Sequence, residues 1–345
     1  MEYKALGDIA TYINGYAFKP EDRGDEGLPI IRIQDLTGNS YDLAYYNGEY
    51  PKKNEINDGD ILISWSASLG IYVWHRGKAL LNQHIFKVEF DKAEIDKNFF
   101  VYAVRHKLNE MALKTHGATM KHIVKKDFDA IQIPYPPMDI QTVIATNLTK
   151  VSNIIEARKE ELDYLDQLIK ARFVEMFGEP ILNSKNLEMR KFGDICDLKA
   201  GDFTSAESIH EVQDEKYLYP CYGGNGIRGY VDNYNQEGDY PIIGRQGALC
   251  GNVQYATGKF RNTEHAVLVT PKTEMNKIWL YELLVLEDLN RYHTGAAQPG
   301  LAVKTLNLVD LPFADINLQN DYATFYKQID KSKFVILNFA EFQNN

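Results

Sequence analysis

The sequence predicts an α+β chain in which a β-rich domain followed by a long helix occurs twice. Three observations carry this. Seven short motifs recur in the same order at a nearly constant offset. The stretch before each recurrence consists of short apolar runs broken by Gly, Pro, Asn and Asp, the pattern of strands and turns. Each such stretch then gives way abruptly to a helical one with a heptad seam. The boundaries that follow are a first β-rich domain over residues 1–138, a helix over 139–178, a second β-rich domain over 179–316 and a shorter second helix over 317–345.

The recurrence fixes the plan. Lys4-Ala5-Leu6-Gly7-Asp8-Ile9 returns as Arg190-Lys191-Phe192-Gly193-Asp194-Ile195, and Asp58-Gly59-Asp60 as Glu237-Gly238-Asp239. Ala67-Ser68-Leu69-Gly70 returns as Ala248-Leu249-Cys250-Gly251, and Asn82-Gln83-His84 as Thr263-Glu264-His265. His116-Gly117-Ala118-Thr119 matches Thr294-Gly295-Ala296-Ala297. Ile131-Gln132-Ile133-Pro134 matches Val309-Asp310-Leu311-Pro312, and Asp139-Ile140-Gln141 matches Asn317-Leu318-Gln319. The offsets are 186, 179, 181, 181, 178, 178 and 178. A colinear series with small drifts is the mark of a duplication with loop insertions and deletions.

Within the first copy, Ile30-Ile31-Arg32-Ile33, Ile61-Leu62-Ile63 and Ile85-Phe86-Lys87-Val88 read as strands; Asn98 to Lys114 reads as a helix, and a last strand ends at Pro134. In the second copy, Pro241-Ile242-Ile243 and Ala266-Val267-Leu268-Val269 read as strands. Asn276 to Arg291 is the helical patch and Pro312 ends the last strand. Residues 139–177 form one helix with Asp139 as the expected N-cap and Gly178 with Pro180 as the stop. Ile144, Leu148, Val151, Ile155, Leu162, Leu165 and Ile169 alternate at intervals of four and three, with Arg158 at the skipped position. At a rise of ~1.5 Å per residue this helix is roughly 55 to 60 Å long. The second helix has Asn317 as its expected cap and Tyr322, Phe325, Ile329, Ile336 and Phe339 as its seam. A heptad seam packs along another helix, and an intramolecular pair is the expected arrangement.

Composition bounds the function. Of 345 residues, 44% are hydrophobic and 25% charged, which excludes wholesale disorder. No apolar run reaches the ~18 residues that span a bilayer, and the N-terminus lacks a signal-peptide core, so a cytoplasmic chain is expected. Cys196, Cys221 and Cys250 are too few and too scattered for a disulfide framework or a zinc cluster. The net charge is −10, from 38 Lys and Arg against 48 Asp and Glu, which excludes a histone-like polycation but not local basic patches.

No catalytic constellation stands out. There is no GxGxxG opening a helix and no Gly-x4-Gly-Lys-Ser loop. Gly223-Gly224-Asn225-Gly226 has the surroundings of a turn, and Pro134-Tyr135-Pro136-Pro137 lacks the leading Asn or Asp of a methyltransferase box and reads as a rigid joint. No residues complete a metal site around His116 and His122. Asp127 and Asp129 read as a solvated strand edge.

Groups suited to nucleic acid are better represented. The segment from Lys114 to Lys126 carries Lys114, His116, Thr119, Lys121, His122 and Lys125 and no acid. Its counterpart carries Arg291, His293, Gln298 and Lys304, again without an acid. Two acid-free basic loops at equivalent positions in an acidic chain point to phosphate contact. Base reading needs paired donors and acceptors. The candidates on expected loops are Trp65, Arg76, Asn82, Gln83 and His84 in the first copy and Asn225, Arg228, Arg245 and Gln246 in the second. For any single one of these a structural turn is the commoner role.

The pattern resembles the DNA-specificity subunit of a type I restriction–modification system. The resemblance covers essentially the whole chain. It rests on Leu6-Gly7-Asp8-Ile9 and Phe192-Gly193-Asp194-Ile195, on Gly59-Asp60-Ile61-Leu62-Ile63, and on Ile243-Gly244-Arg245-Gln246-Gly247. It rests also on Thr263-Glu264-His265-Ala266, on Gly295-Ala296-Ala297-Gln298 and on the Pro-then-helix junctions. It implies two target-recognition domains related by pseudo-twofold symmetry, each reading one half of a split, asymmetric site in double-stranded DNA. It implies two long antiparallel α-helices that form a coiled coil and set the spacer. Half-sites about one turn, ~34 Å, apart would lie on one face of the duplex.

The resemblance further implies a non-catalytic chain with no cofactor of its own. Two methyltransferase subunits would bring S-adenosylmethionine and methylate adenine N6 in a flipped-out base. Restriction subunits, where present, would bring ATP and Mg. One departure is the shorter second helix, which puts partner docking at that end in question. A β-rich protein-interaction scaffold with a helical dimerisation arm and no nucleic-acid role remains the alternative, supported by the acidic charge. If the helices set the spacer, deleting one heptad within residues 144–169 changes the permitted spacer and leaves both half-sites intact. Methylation mapping that found altered half-sites with the old spacer would contradict this.

Overall fold

The computed structural model describes residues 2–39, 42–115, 122–247, 249–295 and 300–341, the last four of these by backbone alone. The chain divides into two compact units, Met1–Glu156 and Ala157–Asn345.

The first unit has three sheets among its described residues. Tyr3–Ala5 pairs antiparallel with Gln132–Pro134, which brings the two ends of the domain together. A four-stranded antiparallel sheet has the order Thr11–Asn14, Ile85–Glu89, Ile61–Ser64, Gly70–Val73. A second has the order Ala44–Tyr46, Leu28–Ile31, Ala79–Leu81, Glu55–Ile56, with the middle pair parallel. The main core gathers Leu6, Ile9, Ile61, Ile63, Phe86, Phe100 and Phe128, all buried. The opening Leu-Gly-Asp motif is structural: Leu6 N–H donates to Ile131 O at 2.9 Å, and a Cβ on Gly7 would lie 2.9 Å from Asp129 Cβ.

Several elements differ from expectation for local reasons. The strand through Ile30 stops at Ile31, because Asp35 accepts from the backbone N–H of Arg32 at 2.8 Å and starts a short helix at Ile33. The domain's main helix runs Lys97–Leu113, capped by the Asp96 carboxylate, which accepts from Phe99 N–H. Asp127 and Asp129 lie not on a strand edge but in the helix Lys125–Asp129.

The second unit repeats the topology strand for strand. Glu188–Lys191 pairs with Asp310–Phe313. One sheet has the order Cys196–Ala200, Ala266–Pro271, Tyr240–Gly244, Val253–Ala256. The other has Gly226–Val231, Tyr219–Gly223, Lys259–Asn262, Gln236–Glu237, again with the middle pair parallel. The expected Asn276–Arg291 helix is split into Lys277–Leu286 and a 3-10 turn Leu289–Tyr292. Asp288, at φ +50°, breaks it.

The long helix runs Met138–Phe177, 40 residues. Asp139 is therefore in its first turn rather than at the cap, where a negative charge still suits the helix dipole. Gly178, at φ +81°, donates its N–H to Val174 O and ends the helix in the left-handed conformation that glycine tolerates. The second helix runs Ile316–Glu341, and its cap is Asp315, which accepts from Asn317 N–H at 2.8 Å, rather than Asn317.

Within the second unit the last turns of the long helix pack antiparallel on the C-terminal helix. Tyr322 stands against Phe173 and Phe177, with ring centroids 5.3 and 5.8 Å away. Farther along, Arg172 lies over the Phe325 ring and Lys333 reaches Asp166 at 2.5 Å. Ile169, Tyr322 and Ile336 are buried, and Leu162, Leu165, Phe325 and Ile329 are half-buried. The side chain of Phe339 lies outside the described residues. In the first unit Ile144 packs on the domain core, whereas Leu148, Val151 and Ile155 are 40, 38 and 37% exposed. The seam is thus covered at its C-terminal end and open in the middle.

A buried glutamine joins each helix to its domain. Gln141 Oε1 accepts from Asp96 N–H at 3.0 Å while its Nε2 donates to Pro136 O at 2.8 Å. Gln319 repeats both bonds, with Asn276 N–H at 2.8 Å and Ala314 O at 2.8 Å. Gln141→Leu or Gln319→Leu leaves a backbone N–H and a backbone carbonyl without these bonds at partly or fully buried sites. Each is expected to lower unfolding free energy by about 1–3 kcal/mol in urea denaturation. An unchanged midpoint would remove these residues from the role.

Candidate nucleic-acid interface

In the second unit three loops converge. Gly223–Gly226 joins the paired strands Tyr219–Gly223 and Gly226–Val231. The segment after Gly244 carries Arg245 and Gln246. The turn Thr263–His265 precedes Ala266–Pro271. The loops approach closely: a Cβ on Gly244 would lie 1.8 Å from Gly224 O, so only glycine fits there. Gly224, Asn225, Arg228, Gln246, Gly247, Leu249 and His265 line an open cavity of about 450 Å³. The fold therefore brings together three of the expected base-reading residues, Asn225, Arg228 and Gln246, and each is exposed.

Two residues not anticipated from sequence organise this wall. His265 Nδ1 lies 2.6 Å from Gln246 Oε1, and His265 Nε2 lies 3.2 Å from Glu264 Oε1. Glu264 Oε2 in turn accepts from Thr204 N–H at 3.1 Å. The available signal was the match of Thr263-Glu264-His265 to Asn82-Gln83-His84.

The other candidates separate. Arg245 is half-buried; its backbone N–H donates to His265 O at 3.0 Å, its carbonyl accepts from Leu301 N–H, and its Nε is buried without a hydrogen-bond partner among the described residues. Arg291 is held by the buried Glu287 carboxylate and by Tyr292 Oη, so much of its hydrogen-bonding capacity is internal. His293 is fixed through Nδ1 on Asn290 O at 2.6 Å. Lys304 is exposed on the short helix Val303–Asn307. Gln298 lies outside the described residues.

The same loops in the first unit carry different chemistry. Trp65 takes the place of Arg245: its N–H donates to His84 O at 3.1 Å and its carbonyl accepts from Ile123 N–H at 3.0 Å. The Trp65 ring stacks on Phe86 at 5.6 Å, packs against His84 at 4.9 Å and donates from Nε1 to Asn14 Oδ1. His84, at φ +74°, has a buried Nδ1 with no partner among the described residues. His122 bridges to Ser66 through the backbone, its ring 6.4 Å from Trp65. Asn82 Oδ1 accepts from Gln83 N–H, as expected of a turn. Arg76 is held elsewhere, donating to Asp35 O at 2.8 Å with its guanidinium over Trp74. Lys114 and Lys125 pair with Glu110 and Asp129 at the surface, contacts weak enough to exchange for phosphate. His116, Thr119 and Lys121 lie outside the described residues.

Among the described residues no group of three or more His, Cys, Asp or Glu could hold a metal ion, and no helix is long and apolar enough to cross a membrane. The three cysteines are free and buried, and burial pushes the Cys196 thiol up to about 12. A separate cavity of about 520 Å³ in the second unit is lined by Glu282, Asp166, Lys170 and Lys333. Burial pushes the Glu282 carboxyl up to about 7, with Lys170 opposing the shift.

Duplicated three-sheet domains, each tied to a heptad-bearing helix and presenting polar loops, define a paired recognition protein. The model of the type I restriction modification DNA specificity domain matches residues 1–165 and 184–340. The chain belongs to that family. It is 31% identical over 369 aligned positions to the Type I restriction enzyme EcoprrI specificity subunit of Escherichia coli, covering 96% of this chain and 88% of that one. To the MjaVIII specificity subunit of Methanocaldococcus jannaschii it is 22% identical, covering 95% and 86%. The crystal structure of the type I S subunit from M. genitalium shares the fold with a TM-score of 0.64 at 17% identity, covering 98% and 91%. A structure from work on assembly and conformational transition of the type I R-M system does so at 0.53 and 15%, covering 99% and 93%.

Because the Glu282 carboxyl is raised in the fold, wild-type stability falls as pH rises from its ordinary value of 4.5 through about 7. Glu282→Gln is therefore expected to unfold at a higher temperature than wild type at pH 8, with the gap closing toward pH 4.5. Parallel melting curves across that range would show the reading of Glu282 to be wrong.

Proposed function

We propose that this chain is the sequence-reading, non-catalytic subunit of its type I complex, and that each domain reads one half of a bipartite, asymmetric site in double-stranded DNA. The observation that carries this is the pair of equivalent loop sets. One scaffold presents Asn225, Arg228, Gln246 and His265 in one copy and Trp65, His84 and His122 in the other. A duplication kept for packing alone has no need to vary the exposed loops while preserving the strands, whereas a reader of two different half-sites does. The same contrast disfavours a scaffold without a nucleic-acid role.

The remaining parts follow from this reading. Phosphate contacts by Lys114, Lys125, Lys304 and their neighbours would set register, and the polar wall in the second domain would read base edges. The paired helices would set the spacer and dock two methyltransferase subunits along the open stretch around Leu148, Val151 and Ile155. Those partners would bring S-adenosylmethionine and the transfer to adenine N6. A restriction subunit, where one joins, would bring ATP and Mg. With a net charge of −10 the chain alone would bind DNA weakly, and basic partners would supply much of the affinity. The setting is the cytoplasm, where the host DNA lies.

Mapping methylated adenines in cells with and without the gene tests the reading directly, since the methylated motif must disappear with the gene. Arg228→Ala is expected to cost about 1–3 kcal/mol of discrimination, roughly 5- to 150-fold, in one half-site only. Equal weakening on every sequence would make Arg228 a phosphate contact instead.

A further inference from the structure

Resting on the reading of the second domain as a half-site reader, we infer that the cavity walled by Asn225, Arg228 and Gln246 takes the major-groove edge of a guanine, and that His265, braced by Glu264, is the positioning residue that makes Gln246 a donor there. The inference follows a line of polar contacts. The Glu264 carboxylate is anchored at Oε2 by Thr204 N–H at 3.1 Å. Its Oε1 lies 3.2 Å from His265 Nε2, within ion-pair distance. On the far side of the ring Nδ1 lies 2.6 Å from Gln246 Oε1, a carbonyl oxygen that can only accept, so Nδ1 is the donor of that pair. With Oε1 held in this way, the amide of Gln246 is fixed in orientation and its amino group is left for a ligand.

Arg228 lines the same cavity and offers only donors. Guanine presents two acceptors, N7 and O6, in the major groove. Adenine presents an acceptor and an amino donor, which would face the donors of the wall, cytosine presents an amino donor, and thymine presents a single acceptor, O4, beside its methyl group, where guanine offers two. A donor-rich pocket therefore selects guanine. The bracing is confined to this domain. At the equivalent place in the first domain Gln83 stands where Glu264 does. Ser66, which bridges to His122 as Gln246 bridges to Gly300, stands where Gln246 does. The base-reading amide and its carboxylate brace are thus present together or absent together.

The test uses the chain assembled with its methyltransferase partners and the duplex site found by methylation mapping. Competition binding is measured on duplexes in which each base pair of the second domain's half-site is replaced in turn by the others. Wild type is expected to require guanine at one position by at least tenfold. His265→Phe, which keeps the ring volume, should lower that preference at least tenfold and leave discrimination in the other half-site unchanged. His265→Asn, whose amide nitrogen can stand where Nδ1 donates, should restore part of it. Gln246→Glu, an isosteric change that replaces donors with acceptors, should turn the preference at that position toward a base offering an amino group. A selective wild type with no guanine requirement, or a preference that survives both His265→Phe and Gln246→Glu, overturns the inference and leaves the half-site reading standing. Uniform weakening on all duplexes by both variants overturns it equally. A wild-type complex with no sequence preference at all sinks the half-site reading itself.

Discussion

Two buried glutamine side chains hold the architecture together. A primary amide can accept and donate at once, and Gln141 and Gln319 each use both capacities on backbone groups. One is the N–H at the cap of the domain's main helix; the other is the carbonyl just before the long helix begins. Each pair of bonds fixes the start of a long helix against its own domain. An apolar residue at either place would pack as well and leave two backbone groups unpaired, which is the costlier outcome in a buried site.

With the helix starts fixed, the domains can vary where variation costs least. The strand order is the same in both units, and the loops that follow equivalent strands hold Trp65 in one and Arg245 in the other on the same backbone bonds. Backbone hydrogen bonds are indifferent to side-chain identity, so a framework built from them can carry a stacked aromatic cluster in one copy and a donor-rich wall in the other. This is how one fold comes to carry two different sets of loop side chains. On the function proposed above, the acidic charge is no obstacle, because specificity needs a few placed donors rather than a positive surface where other subunits bring the cations.

Much of this was legible in the linear chain. The duplication, the order of strand-rich and helical stretches, the extent of the long helix and its stop at Gly178 all follow from local rules that read a few residues at a time. So does the polar character of Asn225, Arg228 and Gln246. Other features depend on neighbours distant in sequence. Arg76 and Arg291 look like free cations in the sequence, but Asp35 and Glu287 engage them. The cap of the second helix lies at Asp315 rather than Asn317 because the Asp315 carboxylate accepts from the Asn317 N–H. The strand through Ile30 ended early because Asp35 could turn back onto Arg32.

The heptad spacing showed that a seam exists, and only packing showed which part of it is covered, since burial depends on what the partner helix offers at each level. Likewise the sequence shows which residues could read a base, and only the fold shows that three loops meet in one wall with Glu264 and His265 behind it. Periodicity and capping are short-range and survive in a string of letters. The meeting of loops from three strand connections is set by sheet topology and by the absence of a side chain at Gly244, and exists only once the chain has closed on itself.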